Sequence, residues 1–136
     1  MKGYLLKEQH FIAGEESLVE SSSSENNYAV AFEDDAETGY FYAIELNRET
    51  GEQLVLDAVH IYEVDDIEEN KRAGIIKIIW STDWLRCGLL INNYCHAVFD
   101  FPSHGAYCRN EFPPPNGIWT KGERALTDEM VVDFFK

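Results

Sequence analysis

The chain has 136 residues, 45% of them hydrophobic and 13% aromatic, which predicts one domain over residues 1–136 with one core. That apolar content excludes a disordered acidic tail, and a net charge of −14 argues against direct contact with nucleic acid or an anionic membrane surface. The run Tyr4-Leu5-Leu6 is too short for a secretory signal, and no stretch nears the roughly 20 apolar residues of a membrane span; a cytoplasmic location is therefore expected.

In chain order, Glu16 to Glu20 reads as a short edge strand. Residues 21–27, Ser-Ser-Ser-Ser-Glu-Asn-Asn, are the low-complexity segment and read as a mobile loop. Strands follow at Tyr28–Phe32 and Tyr40–Leu46, the second rich in aromatic and branched residues, with Asp34 to Gly39 as the turn between them. Leu54 to Val64 is a long strand with two largely apolar faces, a pattern that suits a central strand covered on both sides. Ile75–Trp80, Leu85–Ile91 and Cys95–Phe101 complete the series, and Asn92-Asn93 predicts a tight hairpin because both positions tolerate positive φ.

Phe112 to Gly117, with its three prolines, ends the strand pattern. Thr127 then caps a short helix over Met130 to Phe135, with Asp128 and Glu129 at its N-terminus. The expected fold is α+β and mainly β: an antiparallel sheet of about six to eight strands, a meander or half-barrel, with a C-terminal helix packed through Val131, Phe134 and Phe135. A β-sandwich is the alternative.

The charge is unevenly placed. Residues 1–70 hold 18 Asp and Glu against Lys2, Lys7 and Arg48, a net of −15, while residues 71–136 come to +1. Two clusters carry much of the excess, Glu33-Asp34-Asp35 with Glu37, and Glu63 with Asp65, Asp66, Glu68 and Glu69. Such runs keep a protein soluble, and they also present a negative surface to a basic partner.

No catalytic set stands out. Cys87, Cys95, Cys108, His96 and His104 lack a C-x-x-C pair, so reduced, buried thiols without metal are expected. A Cys–His nucleophile is conceivable only through a distant partner such as His60 with Cys95. On strand alternation, His96, Val98 and Asp100 share a face, whereas Asp57 and His60 do not. The acidic pairs Glu33/Asp35 and Asp65/Asp66 allow glycosidase or cation chemistry in principle, and Trp80, Trp84 and Trp119 allow a sugar platform. Core packing is the commoner use of strand aromatics. No Gly-rich phosphate loop or other cofactor motif is present.

The segment Phe32-Glu33-Asp34-Asp35-Ala36-Glu37-Thr38-Gly39-Tyr40-Phe41-Tyr42-Ala43 resembles an uncharacterised family of small bacterial proteins, a domain of unknown function. The resemblance continues through Asp57 to Tyr62, Ile79-Trp80-Ser81, Leu90-Ile91-Asn92, His96 to Phe101 and Phe112-Pro113-Pro114, covering roughly residues 28 to 120. Ala36 and Asn93 stand where the resemblance implies glycine. It implies a bacterial intracellular protein and no known catalytic residues.

The function expected is that of a non-catalytic acidic binding protein, in its sharpest form an immunity protein that neutralises a basic toxin such as a nuclease. Glu33, Asp34, Asp35, Glu37, Glu63, Asp65 and Asp66 would steer the partner, and Tyr40 or Trp84 would anchor it. The alternatives are a small Asp/Glu- or His-based hydrolase and a structural or regulatory interaction module.

Overall fold

A computed structural model describes residues 1–136. Nine strands precede one helix: β1 (Tyr4–Ile12), β2 (Ser17–Ser22), β3 (Tyr28–Asp34), β4 (Thr38–Leu46), β5 (Gln53–Glu63), β6 (Ala73–Trp80), β7 (Arg86–Ile91), β8 (Tyr94–Asp100), β9 (Gly105–Cys108) and α1 (Asp128–Phe134). They form a five-stranded sheet of order β1-β6-β7-β8-β9 and a four-stranded sheet of order β2-β3-β4-β5, with every strand pair antiparallel. The antiparallel, mainly β class with a C-terminal helix therefore holds. The strands divide between two sheets that face each other, and β1 and β9 are additions to the strands read from sequence.

Alternation builds the core. Val30, Phe32, Phe41, Ala43 and Val59 from one sheet meet Ile76, Ile78, Leu89, Ala97 and Phe99 from the other. Phe41 and Phe99 stack across the interface with ring centroids 4.6 Å apart. Burial of this kind stabilises by roughly 1.5–3 kcal/mol per large side chain.

The helix covers the outer face of the five-stranded sheet. Phe135 is buried with Leu90, Cys95, Val98 and Leu126, flanked by Met130, Val131 and Phe134. Gly88 makes this seat possible, since a Cβ there would lie 3.0 Å from the Phe135 ring. Thr127 accepts the Met130 N–H at 3.2 Å and caps the helix.

Several readings need correction. β5 is the edge of the four-stranded sheet, not a central strand; its apolar start is open, with Leu54 61% and Val55 54% exposed. The serine run is half strand, because β2 continues through Ser22. Ser21 accepts the buried Trp80 indole N–H at 3.0 Å, and Asn26 donates to the Trp84 carbonyl at 2.9 Å, so the segment joins the two sheets. A bulge in β8 also breaks simple alternation. Leu89 pairs with Ala97 and Leu90 with Cys95, which puts Cys95 with Val98 under the helix although they are three residues apart.

The Asn92-Asn93 hairpin has positive φ at both residues, 51° and 66°. Ala36, the other position where glycine was implied, also lies at positive φ, 80°. In both turns the backbone is the one glycine would adopt.

Candidate functional site

The strand registers bring the two acidic clusters together. Thr38 at the start of β4 pairs with Glu63 at the end of β5. The Val64 N–H donates to the Glu37 carbonyl at 2.9 Å, which seats the β5–β6 connection against the β3–β4 turn. The β1–β2 turn joins them: Gly14 N–H donates to Asp34 at 2.9 Å, and Ala13 N–H to the Arg72 carbonyl at 2.8 Å. Glu15 and Glu16 of that turn thus extend the acidic end, and the clustering signal in sequence had no means to include them.

Exposed carboxylates at this end are Glu15, Glu16, Glu33, Asp35, Glu37, Glu63, Asp65, Asp66, Glu68 and Glu69. Lys71 and Arg72 are the nearby cations. The Arg72 guanidinium is spent on the Ile67 and Val64 carbonyls at 3.0 and 3.3 Å, and Lys71 lies 3.5 Å from Glu68. An open groove of about 400 Å³ runs between Glu16 and Leu18 on one side and Glu33 and Asp35 on the other.

Each acid has a distinct place. Asp35 accepts the Glu37 and Thr38 N–H groups at 2.9 and 2.8 Å, and these backbone bonds, Thr38 first, hold its carboxyl below the usual range. Asp34 is a correction to the partner-facing set. It is 1% exposed, and besides Gly14 it accepts the Tyr62 hydroxyl at 2.6 Å and the Ala36 N–H at 2.7 Å. Burial, and then this bond to Asp34, pushes the Tyr62 phenol up.

Tyr40 lies on the outer face of the four-stranded sheet beside Tyr42, and its ring meets the His60 ring edge-on at 5.3 Å. Trp84 does not belong with the acids. It sits in the β6–β7 turn beside Asn26, at the opposite end of the strands, and stacks on Tyr4 at 4.9 Å.

The candidate catalytic pairings are taken apart by the fold. His60 lies on the outer face of one sheet and Cys95 under the helix on the outer face of the other, so they cannot meet. Asp57 turns to Arg124 and Thr120, at 3.3 and 2.5 Å. Asp100 turns to Arg86 and Ser103, at 3.2 and 2.6 Å. His96 packs edge-on against Tyr94, and burial followed by the nearby Arg109 charge holds its imidazole down to about 4. All three cysteines are free and buried, and burial pushes their thiols up, Cys95 to about 11.

His60 has partners that sequence spacing did not suggest. Asn110 accepts the Phe112 N–H through Oδ1, which turns its amide NH₂ toward His60 Nδ1 at 2.6 Å. The ring proton is thereby assigned to Nε2, which donates to Glu63 at 2.9 Å. Both ring nitrogens are occupied, so the imidazole orders the 109–112 segment against β5.

The tryptophans form no sugar platform. Trp80 is in the core, Trp119 is buried under His104, and Trp84 is covered by Tyr4. No helix is long and apolar enough to cross a membrane.

A family model described as an uncharacterized protein conserved in bacteria, DUF2251, matches residues 11–135. A protein of Haemophilus influenzae, itself described as an uncharacterized protein, is 36% identical over 120 residues, spanning 87% of this chain and 73% of that one. No solved structure matches.

Proposed function

The chain belongs to the DUF2251 family of bacterial proteins, and we propose that it is a non-catalytic binding protein whose acidic end holds a basic protein partner. One observation carries this reading: three loops contributed by both sheets converge, and their carboxylates, Asp34 apart, stay exposed while Arg72, beside them, is committed to backbone carbonyls. A field of one sign at one end of a small molecule speeds encounter with an oppositely charged surface and sets its orientation.

The finer form of the proposal is an immunity protein that covers the active site of a basic toxin, such as a nuclease built to receive phosphate. Carboxylates on short, hydrogen-bonded turns suit that task, because a pre-ordered surface loses little entropy on binding.

The test uses the tagged chain as bait in its own cells, followed by association kinetics with the captured protein at two salt concentrations. A basic partner is expected, with an on-rate that falls steeply with salt and falls again when Asp35, Glu37, Asp65 and Asp66 are reversed to lysine. An acidic partner, or kinetics indifferent to both changes, overturns the proposal. For the finer form, co-expression with the captured protein should restore growth that this protein alone suppresses.

A further inference from the structure

We infer that the open part of the outer face of the four-stranded sheet is the docking surface for that basic partner, and that its row of aromatic rings receives an arginine side chain; this rests on the reading of the acidic end given above. The two outer faces of the molecule differ in cover. The helix closes the five-stranded side, while on the four-stranded side only the 110–112 segment packs over β5, at His60, and leaves the outer face of β2 to β4 open.

The face has a definite relief. Registers align Glu20, Ala31 and Tyr42 across β2, β3 and β4, and then Glu33 with Tyr40 one step along. Ala31 makes a low floor between Glu20 and Tyr42, and Ala29 continues it between Ser22 and Ile44. The rings continue as a row. Tyr42 and Tyr40 lie within 25° of parallel with centroids 6.2 Å apart, Tyr40 meets His60 at 5.3 Å, and His60 meets Phe112 at 5.7 Å. Phe112 is 51% exposed. Carboxylates flank the row: Glu33 accepts the Tyr42 hydroxyl at 3.2 Å, and Glu63 accepts from His60.

Charge says what occupies it. Strands β2 to β5 contain no Lys or Arg at all. Elsewhere the chain pairs its own aromatic rings with its own arginines: Arg109 lies over Tyr94 at 4.6 Å and Arg86 over Phe134 at 5.7 Å. The four-stranded face offers the same ring-and-carboxylate chemistry with no cation of its own. A guanidinium fits better than an ammonium, because it is planar, stacks on a ring and bonds a carboxylate through two N–H groups at once. The face is continuous with the acidic end through Glu33 and Glu63, so steering by the loops delivers a partner onto it.

The test titrates the intact protein with acetyl-(Gly-Arg)₃-amide and acetyl-(Gly-Lys)₃-amide, followed by two-dimensional NMR. Saturable shifts at Ala31, Glu33, Tyr40 and Tyr42 are expected, with the arginine peptide binding about fivefold or more tighter than the lysine peptide. Tyr42→Leu should erase most of that preference. Glu33→Gln, an exposed change that spares the fold, should weaken the arginine peptide about five- to tenfold. Replacing Asp65 and Asp66 by asparagine should weaken both peptides alike. Shifts confined to the acidic loops, with equal affinity for the two peptides, overturn this inference and leave the acidic-end proposal standing. Binding of neither peptide at low salt counts against both.

Discussion

The Tyr62 hydroxyl donates a 2.6 Å hydrogen bond to the buried Asp34 carboxylate, tying together residues 28 positions apart. The same carboxylate receives N–H groups from Gly14 and Ala36, so one side chain fixes three connections at the acidic end. The loops that carry the exposed acids are therefore held by an acid that is itself hidden.

Asp34→Ala leaves these donors without their acceptor, at about 1–3 kcal/mol for each group that stays buried. A loss of roughly 3 kcal/mol or more is expected in urea unfolding, against less than about 0.5 kcal/mol for the exposed neighbour change Glu33→Gln. Equal effects at the two positions would refute the anchoring role.

Ala36 holds φ at 80° while its N–H is bonded to Asp34. A left-handed backbone costs a residue with a Cβ about 1–2 kcal/mol, part of which the greater unfolded freedom of glycine takes back. Ala36→Gly should thus raise stability by about 0.5–1 kcal/mol, seen as a higher melting temperature. A lower one would mean that the turn is not strained.

Asp57 and Arg124 form a buried ion pair at 3.3 Å, with side chains 10% and 2% exposed. Thr120 bridges Asp57 to the β9 backbone by accepting the Ala106 N–H at 3.0 Å. Removing one partner strands the other charge, so Asp57→Asn should cost about 3–5 kcal/mol. Hydrogen exchange should then speed up across residues 119–126; unchanged protection there would show that the pair does not hold the segment.

His96 is kept neutral in the folded chain, with its imidazole lowered from 6.5 to about 4 by burial first and Arg109 second. Between those values the unfolded chain binds the extra proton, so stability is full above about pH 6.5 and is lost as pH falls toward 4, by at most about 1.4 kcal/mol per pH unit. His96→Gln should flatten that part of the stability profile relative to the native protein. Parallel profiles for the two proteins would remove His96 as the cause.

What the sequence determined by itself was local. Alternation in Phe41-Tyr42-Ala43 and the β-branched run Ile75 to Ile79 specify strands, Asn92-Asn93 specifies a hairpin, and Thr127 specifies where the helix begins, because each depends on neighbours within a few residues. Tertiary structure decided what distant residues do to one another. It split the strands between two sheets, exposed the apolar start of β5 as an edge, and used a bulge at His96 to turn Cys95 under the helix. It also took Asp34 inward while leaving Glu33 and Asp35 outside, since only the arrival of Gly14 and Tyr62 makes a buried carboxylate tolerable. The meeting of the two acidic clusters belongs to the same level: strand register places Thr38 beside Glu63, and no local pattern along the chain encodes that distance.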